Sequence, residues 1–396
     1  MTAGQTPSPG TGRGKGGLEA PHRRREQGPR IVEKTAVAAY AAAVWVVAHV
    51  PPRLAAWVIG TASQAGYLLW PSKRAWSNAN FGRVAGRPPG DRRVRRLALS
   101  AYREYARYLV ETMRLESLSP DDAIRRVVQP DLDRIEEEWR ASPGGLIFAL
   151  GHVGNNEAVA AGVANRGWPI SVVADDSSFP EMFERFRRLR EAWGVHVIPW
   201  RNLREIYAVL KRGEMLALLV DWGYRADGIP VRLFGSWTTL PAGPATLAAK
   251  TSSRILPVAI RRGSDGLFHV SFSQTITVAS ASDADVARAT QEMADALEAT
   301  IAAAPSQWYS FKPIWPPSDD EAAELEARAA RMLSGEAAPR LARGTAGAEG
   351  ANGANGAEST GLAPGADPAD LVAPSLEDAP GAGDPDTILT AESASS

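Results

Sequence analysis

Six short apolar runs separated by stretches of helical spacing constrain the fold of this chain more than any other feature. The runs lie at 146–150, 170–174, 195–199, 215–220, 255–260 and 267–272, and their lengths and compositions predict strands. Helical patterns lie between and after them, at 157–166, 180–193, 203–211, 242–251 and 283–304. This alternation predicts an α/β fold with a mixed central sheet flanked by helices.

The chain of 396 residues, 44% of them hydrophobic, is long enough to bury a sizeable core. We divide it into a basic arm (1–30), a membrane-associated helical region (31–130), an α/β core (131–318), a terminal helix (319–335) and an acidic tail (336–396). The arm lacks the apolar run of a secretory signal. We expect the arm and the Ala/Gly/Pro-rich tail to be disordered, because neither can bury enough apolar surface to offset the entropy of ordering.

Several classes of site are excluded by composition or spacing. The chain has no cysteine, so it can form no disulfide, Cys-based zinc site, iron–sulfur cluster or thiol nucleophile. There is no G-x-G-x-x-G sequence for a dinucleotide, and no second histidine lies at metal-ligand spacing from His152. We therefore expect no cofactor and no metal, and no nucleic-acid partner.

Residues 31–70 contain two apolar stretches of about fifteen residues, separated by Pro51 and Pro52. Each is shorter than the roughly twenty residues that a spanning helix needs. We predict a helical hairpin that lies in or dips into one leaflet; ordinary core helices and a single-pass anchor are the alternatives. Aromatic residues suited to a membrane interface occur within this segment: Trp45, Trp57, Tyr67 and Trp70. Basic residues that could meet anionic head groups flank the two stretches: Arg23, Arg24, Arg25, Lys34, Lys73, Arg74, Arg83 and Arg87. An amphipathic helix with an arginine-rich face follows at 91–118.

The stretch LIFALGHVGNNEAVAAG at 146–162 predicts a strand, a tight turn and a helix. His152 then lies just beyond the carboxyl end of a strand, where open α/β sheets bind ligands. Asn155 or Asn156 is expected to cap the helix, and Glu157 falls in its first turn. A carboxylate there could bind one ring nitrogen of His152 and leave the other as a general base for a hydroxyl. The alternatives are a structural histidine and an asparagine that only caps the helix.

The stretch GHVGNNEA at 151–158 resembles the motif of the glycerolipid acyltransferase superfamily, a histidine and an acidic residue separated by four others. Further blocks occur in the family's order: NANFGRV, FERFRRLREAWGVHVIPW, VDWGYRADGIPVRLFGSWTTLPAGPATLAAKTSSRILPVAI and PSQWYSFKPIWP. The similarity covers about residues 35–318 and is strongest to the branch of the lipid A lauroyl and myristoyl acyltransferases and the phosphatidylinositol mannoside acyltransferases.

This resemblance implies transfer of a fatty acyl group from a thioester to a hydroxyl of a membrane glycolipid at the cytoplasmic face of the plasma membrane. His152 would be the general base and Glu157 its orienting partner. The partners would be membrane lipids and either acyl-CoA or acyl carrier protein. The acceptor could be phosphatidylinositol mannoside-like or lipid A-like.

The resemblance also implies substrate-binding residues outside the motif. Arg190 matches a family arginine near the active site, and its alternative is a solvated helix arginine. Asp221 matches an aspartate that follows a strand, and its alternative is a turn former. The remaining residues expected to bind substrate are Asn155, Phe234 and Gly235; near Phe234 the family usually has two phenylalanines.

No side chain has the setting of a covalent nucleophile, because cysteine is absent and no serine lies in a G-x-S-x-G sequence. Direct transfer between bound donor and acceptor is therefore predicted. Two other functions stay open: a non-catalytic lipid-binding protein of the same fold, and a hydrolase in which His152 activates water.

Overall fold

The computed structural model of the chain describes residues 27–128, 131–163, 166–175 and 180–335. Most of the predicted basic arm, up to residue 26, and the whole acidic tail from residue 336 lie outside the described residues. The N-terminal region consists of helices: α1 (Gln27–His49), α2 (Pro52–Leu69), α3 (Pro71–Val84), α4 (Arg92–Leu115) and the short α5 (Pro120–Ile124). The break between α1 and α2 falls at the predicted proline pair.

The core alternates strands and helices as the periodicity predicts. Its elements are β1 (Val127–Val128), α6 (Leu132–Arg140), β2 (Leu146–Leu150), α7 (Asn156–Val163), β3 (Ile170–Ala174), α8 (Pro180–Ala192), β4 (His196–Pro199), α9 (Leu203–Lys211), β5 (Met215–Leu219), β6 (Ile229–Leu233), β7 (Ser236–Leu240), α10 (Gly243–Thr251), β8 (Arg254–Arg262), β9 (Phe268–Phe272), β10 (Ile276–Thr277) and α11 (Asp283–Ala303). A 3-10 helix (Pro305–Gln307) and α12 (Asp319–Ser334) follow. All six predicted strands and the five predicted helices are confirmed, with ends that shift by a few residues.

The central sheet has the order β1-β9-β8-β2-β5-β3-β4 among the described residues, with β10 paired to β8. Strands β8, β2, β5, β3 and β4 run parallel to their neighbours along that order, and β9 and β10 run antiparallel to β8. This confirms the predicted mixed α/β class. Because β2 pairs with β5 in the register Leu150↔Leu219, the residues that follow these two strands meet at one edge of the sheet.

Strands β6 and β7 form a separate antiparallel hairpin that the apolar periodicity did not predict. Its two-residue turn is Phe234–Gly235, and both residues have positive φ, 49° and 71°. This is the geometry of the hairpin turns that match strand twist. Helices α11 and α12 pack over the hairpin.

Helices α1 and α2 have one packed face and one exposed face. Tyr40 on α1 is buried edge-on against Phe186 of α8, and α2 packs along α4. On the other side, Trp45 is 64% exposed and Trp57 is 68% exposed. The segment thus contributes core contacts and also presents large apolar side chains to the outside. No helix within the described ranges has both the length and the apolar character to cross a membrane.

The loop after β2 depends on a glycine. Gly154 has φ +72°, and a Cβ there would lie 2.5 Å from the carbonyl oxygen of Ile260. Gly213, after α9, has φ +77° but open space where a Cβ would be.

We expect Gly213→Ala to cost about 1–2 kcal/mol of unfolding free energy from backbone strain alone. Gly154→Ala should cost roughly 2–4 kcal/mol, because overpacking adds to that strain.

Urea unfolding of the two variants, followed by circular dichroism, measures this difference. Equal losses would show that the loop relaxes away from β8 and that close approach to Ile260 is not what requires glycine at position 154.

Candidate active site

A histidine and an aspartate meet where β2 and β5 end. His152 follows β2, Asp221 follows β5, and Nδ1 of His152 lies 2.6 Å from Oδ1 of Asp221. The backbone N–H of His152 also points at the carboxylate, 3.0 Å from Oδ1 and 2.9 Å from Oδ2. Asp221 is 4% exposed, so the pair is shielded from water on the aspartate side. The parallel pairing of the two strands therefore produces a His–Asp pair whose carboxylate is buried.

A segment near the end of the core closes over this pair. The indole Nε1 of the fully buried Trp308 donates to Oδ2 of Asp221 at 2.9 Å. The backbone of Trp308 forms a β-bridge with Val153, and the N–H of Tyr309 donates to the carbonyl of His152 at 2.8 Å. The PSQWYSFKPIWP block thus supplies contacts to both members of the pair.

The hydrogen bonds of Asp221 determine which ring nitrogen of neutral His152 carries the hydrogen. Burial alone raises the pKa of a carboxyl group, but the charge of His152, its two N–H donors and the Trp308 indole together hold the pKa of Asp221 below its usual range. An ionised carboxylate can only accept, so Nδ1 of His152 is the donor. Neutral His152 then carries its lone pair on Nε2.

Glu157 lies in the first turn of α7 as predicted, but it does not hold Nδ1 of His152. Its carboxylate forms a two-pronged ion pair with Arg190 of α8, through Nη2 and through Nε at 3.1 Å. Their side chains are 12% and 7% exposed. The orienting contact expected of Glu157 is therefore made by Asp221, because the strand ends lie side by side and the first turn of α7 faces α8. Arg190 is not a solvated helix arginine.

Asn155 caps α7, with its Oδ1 accepting from the N–H of Ala158 at 3.0 Å. Its Nδ2 lies 3.5 Å from Oε2 of Glu111 on α4. Glu111 is in turn held by the buried Arg262 of β8, at 2.9 Å from Nε and 2.5 Å from Nη2. The start of α7 is thereby anchored to α4 and β8.

Two cavities adjoin these residues. The smaller one is lined by His152, Glu157 and a group of aromatic side chains that includes Tyr105 and Tyr108 of α4 and Tyr309. The larger one extends along the sheet, and apart from Asn156, Glu157 and Arg190 its lining is apolar. Asn156, Glu157 and Leu219 line both cavities. A polar site with a histidine thus adjoins an apolar cavity at Glu157.

Phe234 and Gly235 form the turn of the β6–β7 hairpin, and neither lines the two cavities described above. The N–H of Phe234 is held by Glu298 of α11. Their expected contact with substrate stays a prediction. In the parts of the chain that the structure describes, no three His, Asp or Glu side chains are grouped to hold a metal ion.

Sequence reasoning missed two aromatic residues at the site. The ring of Trp222 lies edge-on to His152 with centroids 5.6 Å apart, and Trp308 holds Asp221. Trp222 could have been found from its place beside a strand-end aspartate. Trp308 carried no chemical signal beyond membership of a recognisable block.

A family model described as bacterial lipid A biosynthesis acyltransferase matches residues 25–316. The chain belongs to this family. A phosphatidylinositol mannoside acyltransferase of Mycolicibacterium smegmatis is 30% identical over 283 residues, which cover 70% of this chain and 90% of the relative. One of Mycobacterium tuberculosis is 27% identical over 249 residues, or 60% of this chain and 75% of the relative.

Membership of this acyltransferase family confirms the resemblance drawn from the sequence motifs, and the family match extends over α1 to α11 and the 305–316 block. The His152–Asp221 pair, the Glu157–Arg190 pair and both cavities lie inside it. The chemistry of the site therefore has to be explained in terms of acyl transfer.

The Glu157–Arg190 pair can be tested as a unit. Arg190→Met or Glu157→Gln alone should cost about 3–5 kcal/mol of unfolding free energy, because each leaves a charge buried without its partner. The double variant should lie much closer to wild type, since neither charge remains.

The matched control is Arg187→Met on the same helix. Arg187 pairs with Glu184 and Glu191, but all three side chains are more than one third exposed (34%, 38% and 35%), so its loss should cost less than about 1 kcal/mol. Chemical denaturation of the four variants measures these effects. Additive losses in the double variant would contradict a coupled buried pair.

Proposed function

We propose that this protein is an O-acyltransferase that moves a fatty acyl chain from an acyl thioester to a hydroxyl of a membrane glycolipid. One observation carries the proposal: His152, held by the buried Asp221, lines a cavity that adjoins a larger apolar cavity, with Glu157 lining both. A base beside an apolar channel is what acyl transfer to a hydroxyl requires.

His152 is the general base in this mechanism. Its Nδ1–H is held by Asp221, so proton transfer takes place at Nε2. The acceptor hydroxyl gives its proton to Nε2 as its oxygen attacks the thioester carbonyl. The tetrahedral intermediate then collapses to the ester and expels the thiolate, which takes the proton from the His152 imidazolium. Asp221 stabilises that imidazolium and keeps the ring oriented.

The apolar cavity is the binding site for the acyl chain in this proposal. Phe148, Val159, Trp168, Ala217 and Val258 are among its lining side chains, and they come from both β-strands and flanking segments. Burying methylene groups there is favourable by about 0.8 kcal/mol each. A chain bound in this cavity would reach the Glu157 edge with its thioester, next to His152.

Glu157 and Arg190 support the junction of the two cavities. The ion pair neutralises both buried charges, so the polar end of the apolar cavity remains compatible with a neutral thioester. Asn155 fixes the start of the helix that carries Glu157. In this proposal Glu157, Arg190 and Asn155 maintain the shape of the site, and His152 with Asp221 carries out proton transfer.

The acceptor is inferred from the relatives. The two mycobacterial proteins are named for phosphatidylinositol mannoside, so a glycolipid of that kind is the acceptor we propose, with a lipid A-like glycolipid as the other member of the class. The donor is acyl-CoA or acyl carrier protein. No cofactor is needed, because the donor is already an activated thioester.

Membrane association is proposed from the exposed face of α2. Leu54, Trp57, Val58 and Leu68 lie within one arc of the helix and are 49%, 68%, 51% and 56% exposed. The exposed Arg53 precedes this stripe, and Lys73 and Arg74 follow α2. An apolar stripe with basic ends is typical of helices that lie in a membrane interface. The cytoplasmic face of the plasma membrane is the location we propose.

The reaction is tested by measuring the transfer of radiolabelled palmitate into total lipid of the source organism. The donor is palmitoyl-CoA in one assay and palmitoyl-acyl carrier protein in the other. We expect a labelled glycolipid with the wild type. His152→Gln should lower the rate by at least 10²-fold because the base is lost. Asp221→Asn should also lower it strongly, because an amide favours the wrong tautomer of His152.

The control is His269→Gln. His269 also pairs with an aspartate, with Nε2 2.9 Å from Asp265, but that pair is on the surface. Its loss should leave transfer unchanged. Release of free palmitate without a labelled lipid would instead indicate a hydrolase, and no turnover by a folded wild type with either donor would indicate a non-catalytic lipid-binding protein.

Membrane binding is tested by sedimentation with anionic phosphatidylglycerol vesicles. The double variant Trp57→Ser/Leu68→Ser should bind at least tenfold more weakly, because each side chain contributes about 1.5–3 kcal/mol when buried in an apolar phase. The control Leu203→Ser/Leu333→Ser removes two exposed leucines elsewhere, 38% and 59% exposed, and should bind like the wild type. Equal binding by both double variants would overturn the assignment of α2 as the membrane-facing element.

A further inference from the structure

The carboxylate of Asp221 has two oxygens with different partners. Oδ1 receives the Nδ1–H of His152 at 2.6 Å, and Oδ2 receives the indole N–H of Trp308 at 2.9 Å. The backbone N–H of His152 lies at nearly equal distance from both oxygens, 3.0 and 2.9 Å, so it does not distinguish them. Trp308 is therefore the contact that fixes which carboxylate oxygen faces the imidazole.

Trp308 is itself firmly held. Its side chain is fully buried, with Phe81 edge-on at 5.9 Å and Trp315 edge-on at 6.4 Å between ring centroids. Its neighbours in the chain are bound to the His152 loop: the carbonyl of Gln307 accepts from Gly154 at 3.1 Å, and Tyr309 donates to His152 at 2.8 Å. One short segment thus holds the aspartate by a side chain and the histidine by the backbone.

We propose that Trp308 is a positioning residue for the reaction, whose indole N–H holds the Asp221 carboxylate in the orientation that keeps His152 ready to accept a proton. The proposal rests on the role of His152 as the base in the proposed function. It goes beyond that role, because it assigns the orientation of the pair to a third residue far along the chain, whose indole donates to the aspartate.

The physical reason lies in the cost of a loosely held carboxylate in a buried site. Without the indole, Oδ2 keeps only the backbone N–H of His152, which lies nearly as close to Oδ1, so the orientation of the carboxylate that aims the imidazole ring is no longer fixed. The Trp308 donor also stabilises the negative charge of Asp221. Without it the carboxylate becomes more basic and binds the imidazolium more tightly, which raises the pKa of His152.

Replacing Trp308 alters none of the other titratable side chains that surround the pair. They are Glu157 on α7 with its partner Arg190, Tyr105 and Tyr108 on α4, and Tyr309. Burial raises the pKa of Tyr108 and of Tyr309, so both phenols stay neutral across the pH range of interest. A shift in the titration of His152 would therefore report the loss of the indole donor.

The test compares Trp308→Phe with Trp315→Phe. Both replacements remove an indole from the same part of the core, and the Nε1 of Trp315 has no hydrogen-bond partner among the described residues. Trp308→Phe should lower kcat about 10-fold to 100-fold with KM within twofold of wild type. The acid limb of its pH–rate profile should move to higher pH by about half a unit or more. Trp315→Phe should change neither quantity.

The titration of His152 followed by NMR, assigned with His152→Gln, is the readout that does not depend on activity. We expect a higher pKa of His152 in Trp308→Phe and no change in Trp315→Phe. An unchanged pKa in Trp308→Phe, with both variants equally destabilised, would overturn the proposal and make Trp308 a core residue only. If wild type transfers no acyl group, the proposed function fails, and this titration still decides whether Trp308 tunes the pair.

If Trp308→Phe does not fold, the hydrogen bond can still be tested on the wild-type protein. The ¹⁵N-labelled indole resonance of Trp308, assigned through its contacts with Phe81, should titrate together with His152. The indole resonance of Trp315 should not. Identical behaviour of the two indoles would contradict the hydrogen bond on which the proposal stands.

Discussion

The parallel pairing of β2 with β5 is the constraint on which the site depends. The register Leu150↔Leu219 brings the residues after the two strands to one edge of the sheet, so His152 and Asp221 are neighbours although 69 positions separate them. The loop after β2 can pass this close to β8 because Gly154 has no side chain and adopts a positive φ. The Gln307–Tyr309 segment then closes over both strand ends. This arrangement fixes the positions of His152 and Asp221 relative to each other.

Buried charges around the site are distributed so that each has its own partner. Asp221 is matched by His152, Glu157 by Arg190, and Arg262 by Glu111 together with Glu104 of the same helix. Because a buried charge without a partner costs several kcal/mol, these pairs fix where α7, α8, α4 and β8 can lie. Separate partners also give the two acidic residues at the site different tasks. Asp221 acts on the imidazole, and Glu157 joins two helices beside the apolar cavity.

Helix α4 connects the site to the exposed N-terminal helices. One side of it contributes Tyr105 and Tyr108 to the cavity of His152, and other positions pack against α1 and α2. A single helix, α4, therefore contacts both the helix that carries the apolar stripe and the cavity.

The sequence by itself determined six of the described strands, most of the core helices, a helix cap at Asn155 or Asn156 and the place of His152 beyond a strand, because these depend on periodicity and on residues a few positions apart. It also carried the motifs of an acyltransferase family. Only the tertiary structure decided that Asp221 and not Glu157 holds His152, that Arg190 is buried, that Trp308 reaches the carboxylate and that the Phe234–Gly235 turn belongs to a separate hairpin. The three side-chain contacts join residues 33 to 87 positions apart, and local spacing contains no information about which strand ends and helix faces the folded chain will bring together.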